Sequence, residues 1–240
     1  MTDNTHNSKE ILSYRYKFTF SSNEEVEFNV SLEKKSLSLI PVEVQSPPEW
    51  TLLRHSQCPN CTLKEEQHRF CPIAVNLVDV IEFFVSRISY EEVDLSVRSD
   101  DREYIKHTSL DMGLSSLIGL LMVTSGCPIM QRLKPMAFHH LPFASAEETT
   151  FRVISMYILA QYLLYKRGKK PDWELRQLTK LYDDIRIVNK HFCKRISGIG
   201  AEDASINALV HLDVFADFVT FSLDGDILDQ LEVMFSAYLG

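Results

Sequence analysis

The chain has 240 residues, of which 45% are hydrophobic, and its 33 acidic residues outnumber its 25 Lys and Arg residues to give a net charge of −8. A chain of this length buries a sizeable core, and its acidic balance argues against a nucleic-acid partner or an anionic membrane surface. The polar start lacks the apolar core of a secretory signal, and no apolar run in the sequence approaches the roughly 20 residues that span a bilayer. These features predict a cytoplasmic protein with no nucleic-acid or membrane partner.

The first forty residues show the alternation of a β-sheet. Residues 1–10 offer nothing to bury and are predicted to be disordered. From Leu12 to Phe20 every second residue is apolar, and the alternation returns from Val26 to Leu32 after a polar turn, which predicts a hairpin. A third short strand through Leu37 and Leu39 would complete a β-meander.

The segment from His55 to Pro72, HSQCPNCTLKEEQHRFCP, gathers three of the five cysteines into one polar, turn-forming stretch. Cys58 and Cys61 form a CxxC pair, whose two sulfurs can reach one metal ion or close as a disulfide. Cys71 follows, and the distant Cys127 supplies a fourth sulfur. We therefore expect Cys58, Cys61, Cys71 and Cys127 to converge as metal ligands.

Two cofactors suit four cysteines. Four thiolates hold zinc in a closed, structural site, and because proline follows a ligand cysteine in ferredoxin motifs, an iron–sulfur cluster for sensing or electron transfer is the other candidate. His55 and His68 are nitrogen ligands in reserve if Cys127 lies far away. In an alternative of another class, the dithiol cycles with a substrate: Cys58 attacks as the thiolate and Cys61 resolves the mixed disulfide.

Beyond the cysteine segment the sequence predicts one more hairpin. Pro72 suits the first turn of a helix whose apolar stripe extends to Ile88. Strands over 93–97 and 104–106 follow, and the two hairpins together would make one antiparallel sheet.

The remaining sequence is typical of helices. Thr108 with Asp111, and Ser145 with Glu148, each resemble a capping box at a helix start. The helix after Ser145 is apolar on most sides, which predicts a central core helix. Residues 134–143, KPMAFHHLPF, are bounded by prolines and are predicted to be an irregular connector.

Pro171 and Asp172 are predicted to open the next long helix. Its apolar stripe includes Asn189, whose hydrogen-bond partners are expected on the last long helix, and Cys193 in the same helix is predicted to be a packing residue. Five polar residues leave open the choice between an acid–base site and a structural network: Asn189, Asn207, His211, Asp213 and Asp217.

Four segments carry a family resemblance: HSQCPNC with CPIAVNL, SLIGLLMVTSGCPIMQRLKPMAFHHLPFASAEET, MYILAQYLLYKRGKKPDWEL and DASINALVHLD. In these segments the chain resembles an uncharacterised family of bacterial proteins, a domain of unknown function with CPxC, CP and SGCP cysteine motifs. The resemblance implies a bacterial origin and one continuous domain, and it carries no established activity. The metal-site hypothesis therefore rests on the cysteine spacing.

The sequence predicts an α+β protein in which an N-terminal antiparallel β-meander with hairpins packs on a C-terminal helical bundle. Residues 11–240 are predicted to form a single domain: 11–107 hold mainly sheet with the cysteine segment and one helix, and 108–240 are helical. The predicted function is soluble metal binding, with zinc or an iron–sulfur cluster at the four cysteines. A CxxC thiol–disulfide oxidoreductase, and a metal-independent protein that forms a homodimer or binds a protein partner, are the alternatives. Whether the chain is an enzyme is left open.

Overall fold

The computed structural model describes residues 10–42, 44–200, 203–223 and 227–240. Apart from Glu10, the start that was predicted to be disordered lies outside the described residues. Within them an antiparallel sheet occupies the N-terminal part and most of the remaining chain is helical. The α+β prediction is confirmed.

Four antiparallel strands form one sheet in the order β2-β1-β3-β4. The strands are β1 (Ile11–Phe20), β2 (Glu25–Glu33), β3 (Glu92–Arg98) and β4 (Glu103–Ser109). Successive side chains of a strand point to opposite faces, so the alternation of β1 buries every second residue from Tyr14 to Phe20. Because β1 also pairs with β3, the two predicted hairpins join in one sheet.

Two elements of the first half differ from the prediction. The third strand of the meander is replaced by an isolated bridge between Leu39 and Leu32, because Leu37 adopts a φ of 55°, which interrupts an extended chain. The helix after Pro72 is divided into α1 (Pro72–Asn76) and α2 (Val78–Phe84), since Leu77 between them leaves helical geometry at φ −110° and ψ 4°.

Helices form most of the second half. They are α3 (Leu110–Thr124), a 3₁₀ helix (Met130–His139), α4 (Ala146–Lys166), α5 (Arg176–Ser197), α6 (Asp203–Leu223), α7 (Ile227–Met234) and α8 (Ser236–Leu239). The central helix α3 packs against the sheet, the 3₁₀ helix and α6. Gly113 allows the close approach to the sheet, since a Cβ there would meet Leu95 Cδ2 at 2.8 Å. Buried residues of the strands and helices form one hydrophobic core.

The capping box at the start of α4 is confirmed. Ser145 Oγ accepts a hydrogen bond from the Glu148 N–H at 3.2 Å, and Glu148 Oε2 accepts one from the Ser145 N–H at 2.8 Å. The box predicted for Thr108 and Asp111 is wrong, because β4 continues through Thr108 to the start of α3 and Asp111 accepts from the Met112 N–H instead.

Two further boundaries are corrected. Residues 134–143 are not irregular throughout, since the 3₁₀ helix extends through Pro135 to His139; the fixed φ of proline is compatible with helical geometry. The long helix predicted to open at Pro171 begins at Arg176, because Leu175 adopts a left-handed φ of 59°. Asp172 precedes this helix and accepts a hydrogen bond from the Gln177 N–H at 2.7 Å.

The prediction that α4 is a central core helix is wrong. Its buried residues are Thr150, Val153 and Gln161, whereas Leu159 and Leu163 are 59% and 50% exposed. The reason is tertiary: α5 and α6 pack closely against each other and α6 against α3, which leaves α4 at the edge with an apolar side uncovered.

By length and composition alone, α6 is apolar enough to cross a membrane. It packs against α3 and α5, and Asp217 on α6 forms an ion pair of 2.6 Å with Arg186 on α5. This packing is typical of a bundle helix. The absence of a membrane partner and the cytoplasmic location stay predictions.

Candidate functional site

Four cysteines from three separate parts of the chain line one small pocket. Cys58 and Cys61 lie in the loop that follows a short 3₁₀ turn, Cys71 directly precedes α1, and Cys127 lies three residues beyond the end of α3. Cys127 is 8% exposed, and the other three are partly buried. The fold thus brings the distant sulfur to the CxxC pair.

Backbone hydrogen bonds fix the cysteine loop. The Cys61 N–H donates to the Cys58 carbonyl at 3.0 Å, so the CPNC segment forms a closed turn with both sulfurs on it. The Cys71 N–H donates to the Thr51 carbonyl at 2.8 Å and holds the far end of the loop against its beginning. The backbone therefore sets the positions from which the three side chains project.

Cys127 enters the pocket from the other side. Gly126 before it adopts a φ of 93°, a conformation open to glycine, which turns the chain away from the axis of α3. Burial raises the pKa of the Cys127 thiol, while hydrogen bonds from the backbone of Met130 and Ile129 act to lower it. Backbone N–H donors of this kind stabilise a thiolate when one forms.

The neighbouring cysteines affect the pKa of Cys58. Burial raises the pKa of Cys58 to about 12, and the neighbouring Cys71, Cys127 and Cys61 add to the rise. In the absence of a cation Cys58 is therefore a neutral thiol at pH 7. Because the thiolate is the nucleophile in disulfide exchange, this environment disfavours the role of attacking cysteine in a dithiol cycle.

Arg195 on α5 lies beside the four cysteines and is 2% exposed. Its Nη1 donates to the carbonyl oxygens of Trp50 at 2.5 Å and Leu52 at 2.7 Å. Its Nη2 donates to those of Leu53 at 3.3 Å and Ser56 at 2.9 Å. One guanidinium thus anchors the whole segment that leads into the cysteine loop.

The charge of Arg195 finds no carboxylate partner in the part of the chain that the structure describes. Burial lowers the pKa of Arg195, and the groups that raise it are Cys71, Cys58 and Cys61. A buried cation is stable when an anion faces it. Neutral thiols do not supply that anion, whereas thiolates do.

The cavity between the cysteines has a volume of about 20 Å³, which matches the roughly 10–15 Å³ that one water requires. This volume has room for a single ion, whereas a cluster of several iron and sulfide atoms requires the walls to move apart. Among the described residues no group of three or more His, Cys, Asp or Glu side chains stands ready to hold a metal ion. Ligation therefore needs the cysteine side chains to rotate toward a common centre.

The reserve ligands and the fifth cysteine lie elsewhere. His55 and His68 are exposed and do not line the pocket. Cys193 is partly buried on α5 and packs against the hydrophobic core, where burial raises its pKa to about 11. Sequence reasoning missed Arg195, although its spacing of three from the buried Phe192 places it on the apolar face of α5.

The five polar candidates do not meet in one site. Asn207 Nδ2 donates to Asp203 Oδ1 at 2.7 Å on the surface of α6. His211 Nε2 lies 3.0 Å from Asp111 Oδ2 on α3. These are separate pairs that link helices or neighbouring turns.

Asp213 and Asp217 both face Arg186, at ion-pair distances of 3.8 and 2.6 Å. Asn189 is buried, and its Oδ1 has no hydrogen-bond partner in the described part of the chain. The expectation that the last long helix satisfies this oxygen is wrong, because Asn189 faces a cavity instead.

Comparison with known proteins identifies one family. Residues 13–236 match the family model described as a domain of unknown function (DUF6901). No curated protein matches the chain, and no solved structure does.

Proposed function

Because the chain belongs to the DUF6901 family, a domain of unknown function, we propose from its own residues that it binds one zinc ion through Cys58, Cys61, Cys71 and Cys127. The observation that carries the proposal is Arg195, a buried cation beside four sulfurs with no carboxylate partner among the described residues. Binding of zinc displaces the four thiol protons to solvent and leaves four thiolates around one Zn²⁺, so the site gains the net negative charge that Arg195 needs as a partner.

The charges support this assignment. Zinc held by four thiolates leaves two negative charges in excess, and Arg195 offsets one of them. The N–H groups of Met130 and Ile129, directed at Cys127, stabilise further negative charge on sulfur. In a pocket of four neutral thiols, the charge of Arg195 and the N–H groups of Met130 and Ile129 would face no negative charge.

The proposed role is structural. Four protein sulfurs leave no open position on zinc, so the ion does not take a substrate. It links the loop before α1 to the segment after α3 and thereby fastens the cysteine segment to the helical part. A reducing bacterial cytoplasm, which keeps thiols available to metal, suits such a site.

The zinc affinity of the protein is expected to rise with pH. Each thiol that loses a proton on binding contributes about a tenfold change in affinity per pH unit. Because burial raises the pKa of Cys58 to about 12, this thiol is fully protonated in the metal-free protein near pH 7 and releases one proton. Competition with a chromophoric chelator at about pH 6.5 and about pH 7.5 measures the dependence.

Cys58→Ser is the matched variant for this measurement, since serine does not release that proton. The variant keeps three of the four sulfurs and should bind zinc more weakly at both pH values, and the pH dependence of its remaining affinity should be less steep by about one proton. An affinity that is equal at the two pH values in the unmodified protein would contradict thiolate ligation.

The exposed side of α4 supports a second proposal, a homodimer that needs no metal. Ile158, Leu159, Tyr162 and Leu163 are exposed on this helix, and a contiguous apolar surface of this kind marks protein contacts. We expect the mass measured by light scattering to rise with concentration toward twice the chain mass. Leu163→Asp should abolish the rise, whereas Ile105→Asp, at an exposed apolar residue on β4, should not. A constant monomer mass would exclude the dimer.

A further inference from the structure

A second cavity, which we call the chamber, lies among β4, α3, the 3₁₀ helix, α4, α5 and α6. Its volume is about 190 Å³, more than ten times the roughly 10–15 Å³ that one water requires. The chamber is open to solvent on one side, where the lining residue Lys106 is exposed. A small molecule can therefore enter it, as is typical of concave ligand sites.

The walls of the chamber are mainly apolar and adaptable. They include Met112, Leu120, Met130, Leu133, Met136 and Leu141. Methionine side chains adjust to ligands of irregular shape, and apolar walls with a few polar groups are typical of small-molecule sites. The lining thus favours an occupant with an apolar body.

Asn189 provides an unused hydrogen-bond acceptor at the buried end. Tyr182, Ile185 and Asn189 share one face of α5 and line the chamber together. Asn189 is 1% exposed, and its Oδ1 has no hydrogen-bond partner among the residues that the structure describes. A buried polar atom without a partner destabilises the fold, and such atoms are rare in native proteins. A hydrogen-bond donor on a ligand would satisfy this oxygen.

The charged residues of the chamber are both cations. Lys106 on β4 is exposed, and Arg152 on α4 is partly buried. Arg152 Nη2 donates to the carbonyls of Met136 at 3.0 Å and His139 at 2.9 Å, which fixes the guanidinium and leaves Nη1 and Nε out of these two bonds. The cationic end therefore lies toward the solvent and Asn189 lies deep.

No Asp or Glu is among the described residues that line the chamber. Glu148 is the acidic residue that acts on Arg152, but its carboxylate is held in the capping box of α4. His140 adds no charge, because burial and then Arg152 lower its pKa to about 3. In a protein with a net charge of −8, a lining with two cations and no acid favours an anion.

We propose that the chamber binds a small apolar organic anion with a hydrogen-bond donor at its far end. The anionic group faces Lys106 and Arg152, the apolar body contacts the methionine and leucine side chains, and the donor reaches Asn189. The volume corresponds to about a dozen waters, and so to a molecule of about a dozen non-hydrogen atoms. This inference is independent of the zinc site.

The probe is 6-hydroxy-2-naphthoate, a fluorescent anion that combines all three features. Fluorescence titration of the full-length protein should give saturable binding with a Kd of about 100 µM or tighter. 2-Naphthol, which lacks the carboxylate, should bind at least about tenfold more weakly. 2-Naphthoate, which lacks the hydroxyl, should bind about fivefold more weakly. Equal binding of the three compounds, or none by the carboxylates, would overturn the proposal.

Two variants test the two ends. Asn189→Ala should bind 6-hydroxy-2-naphthoate no more tightly than 2-naphthoate, while its affinity for 2-naphthoate stays within about twofold of the parent value. Lys106→Gln, at an exposed position, should weaken both carboxylates about threefold or more and leave 2-naphthol unchanged. Lys180→Gln makes the same charge change at an exposed residue outside the chamber and should have no effect. Unaltered selectivity in Asn189→Ala would contradict the assigned orientation.

Discussion

Cys127→Ser is expected to release zinc from the protein and to lower its melting temperature by about 8–16 °C. The proposed site then loses one of four ligands, the one that links it to α3. An ion present at about 1,000 times its Kd stabilises a fold by about 4 kcal/mol, and for a chain of this size about 1 kcal/mol corresponds to about 2–4 °C. Metal analysis and thermal unfolding of the purified variant measure both effects.

Cys193→Ser is the matched control, because Cys193 is partly buried outside the pocket. It should retain zinc and melt within a few degrees of the parent protein. The same comparison separates the metal site from the dithiol alternative. Two results would refute the four-cysteine site. In the first, Cys127→Ser keeps its zinc. In the second, Cys127→Ser is as stable as the parent protein and reduces a disulfide substrate at the parent rate.

Arg195→Met is expected to destabilise the protein by about 3–5 kcal/mol, the range observed when one partner of a buried charge interaction is removed. Four carbonyl groups around the start of the cysteine loop lose their donors. The zinc affinity should also fall at least about tenfold, because the excess negative charge of the site is left without a cation. Chemical denaturation with and without a chelator separates the two losses.

Lys194→Met removes a cation from the adjacent, exposed position and should change stability by less than about 0.5 kcal/mol. Arg195→Lys keeps the charge but does not reproduce the fork of donors. It should therefore lose stability while retaining more zinc affinity than Arg195→Met. Equal zinc affinity in all four proteins would show that Arg195 acts only as a loop anchor.

Local patterns predicted the parts of the fold that local physics decides. The alternation of β1 depends on the period of a strand, and the Ser145 box depends on two residues three apart, Ser145 and Glu148. Both patterns can therefore be recognised in the sequence. Spacing likewise identified the CPNC turn. The burial of α4 was mispredicted because its exposure depends on how α5 and α6 pack, which no local pattern records.

The candidate site was likewise predicted only in part. The sequence marked the four cysteines, but the facing cation is supplied by Arg195 from a helix more than a hundred residues beyond the loop. A single arginine beside Cys193 and Lys194 gives no sign of what it meets. Asn189 Oδ1 lacks a partner among the described residues because Asn189 faces the chamber. Only the tertiary packing determines where the chamber lies.

The most direct test of the zinc site is metal analysis by mass spectrometry, with an absorption spectrum, on protein purified without air and without an affinity metal. We predict about one zinc per chain and a colourless solution. Iron with sulfide and a brown colour would show that the same cysteines hold an iron–sulfur cluster and not zinc. Protein that contains no metal and takes up none when zinc is added would contradict the proposal that Arg195 faces a metal-thiolate site.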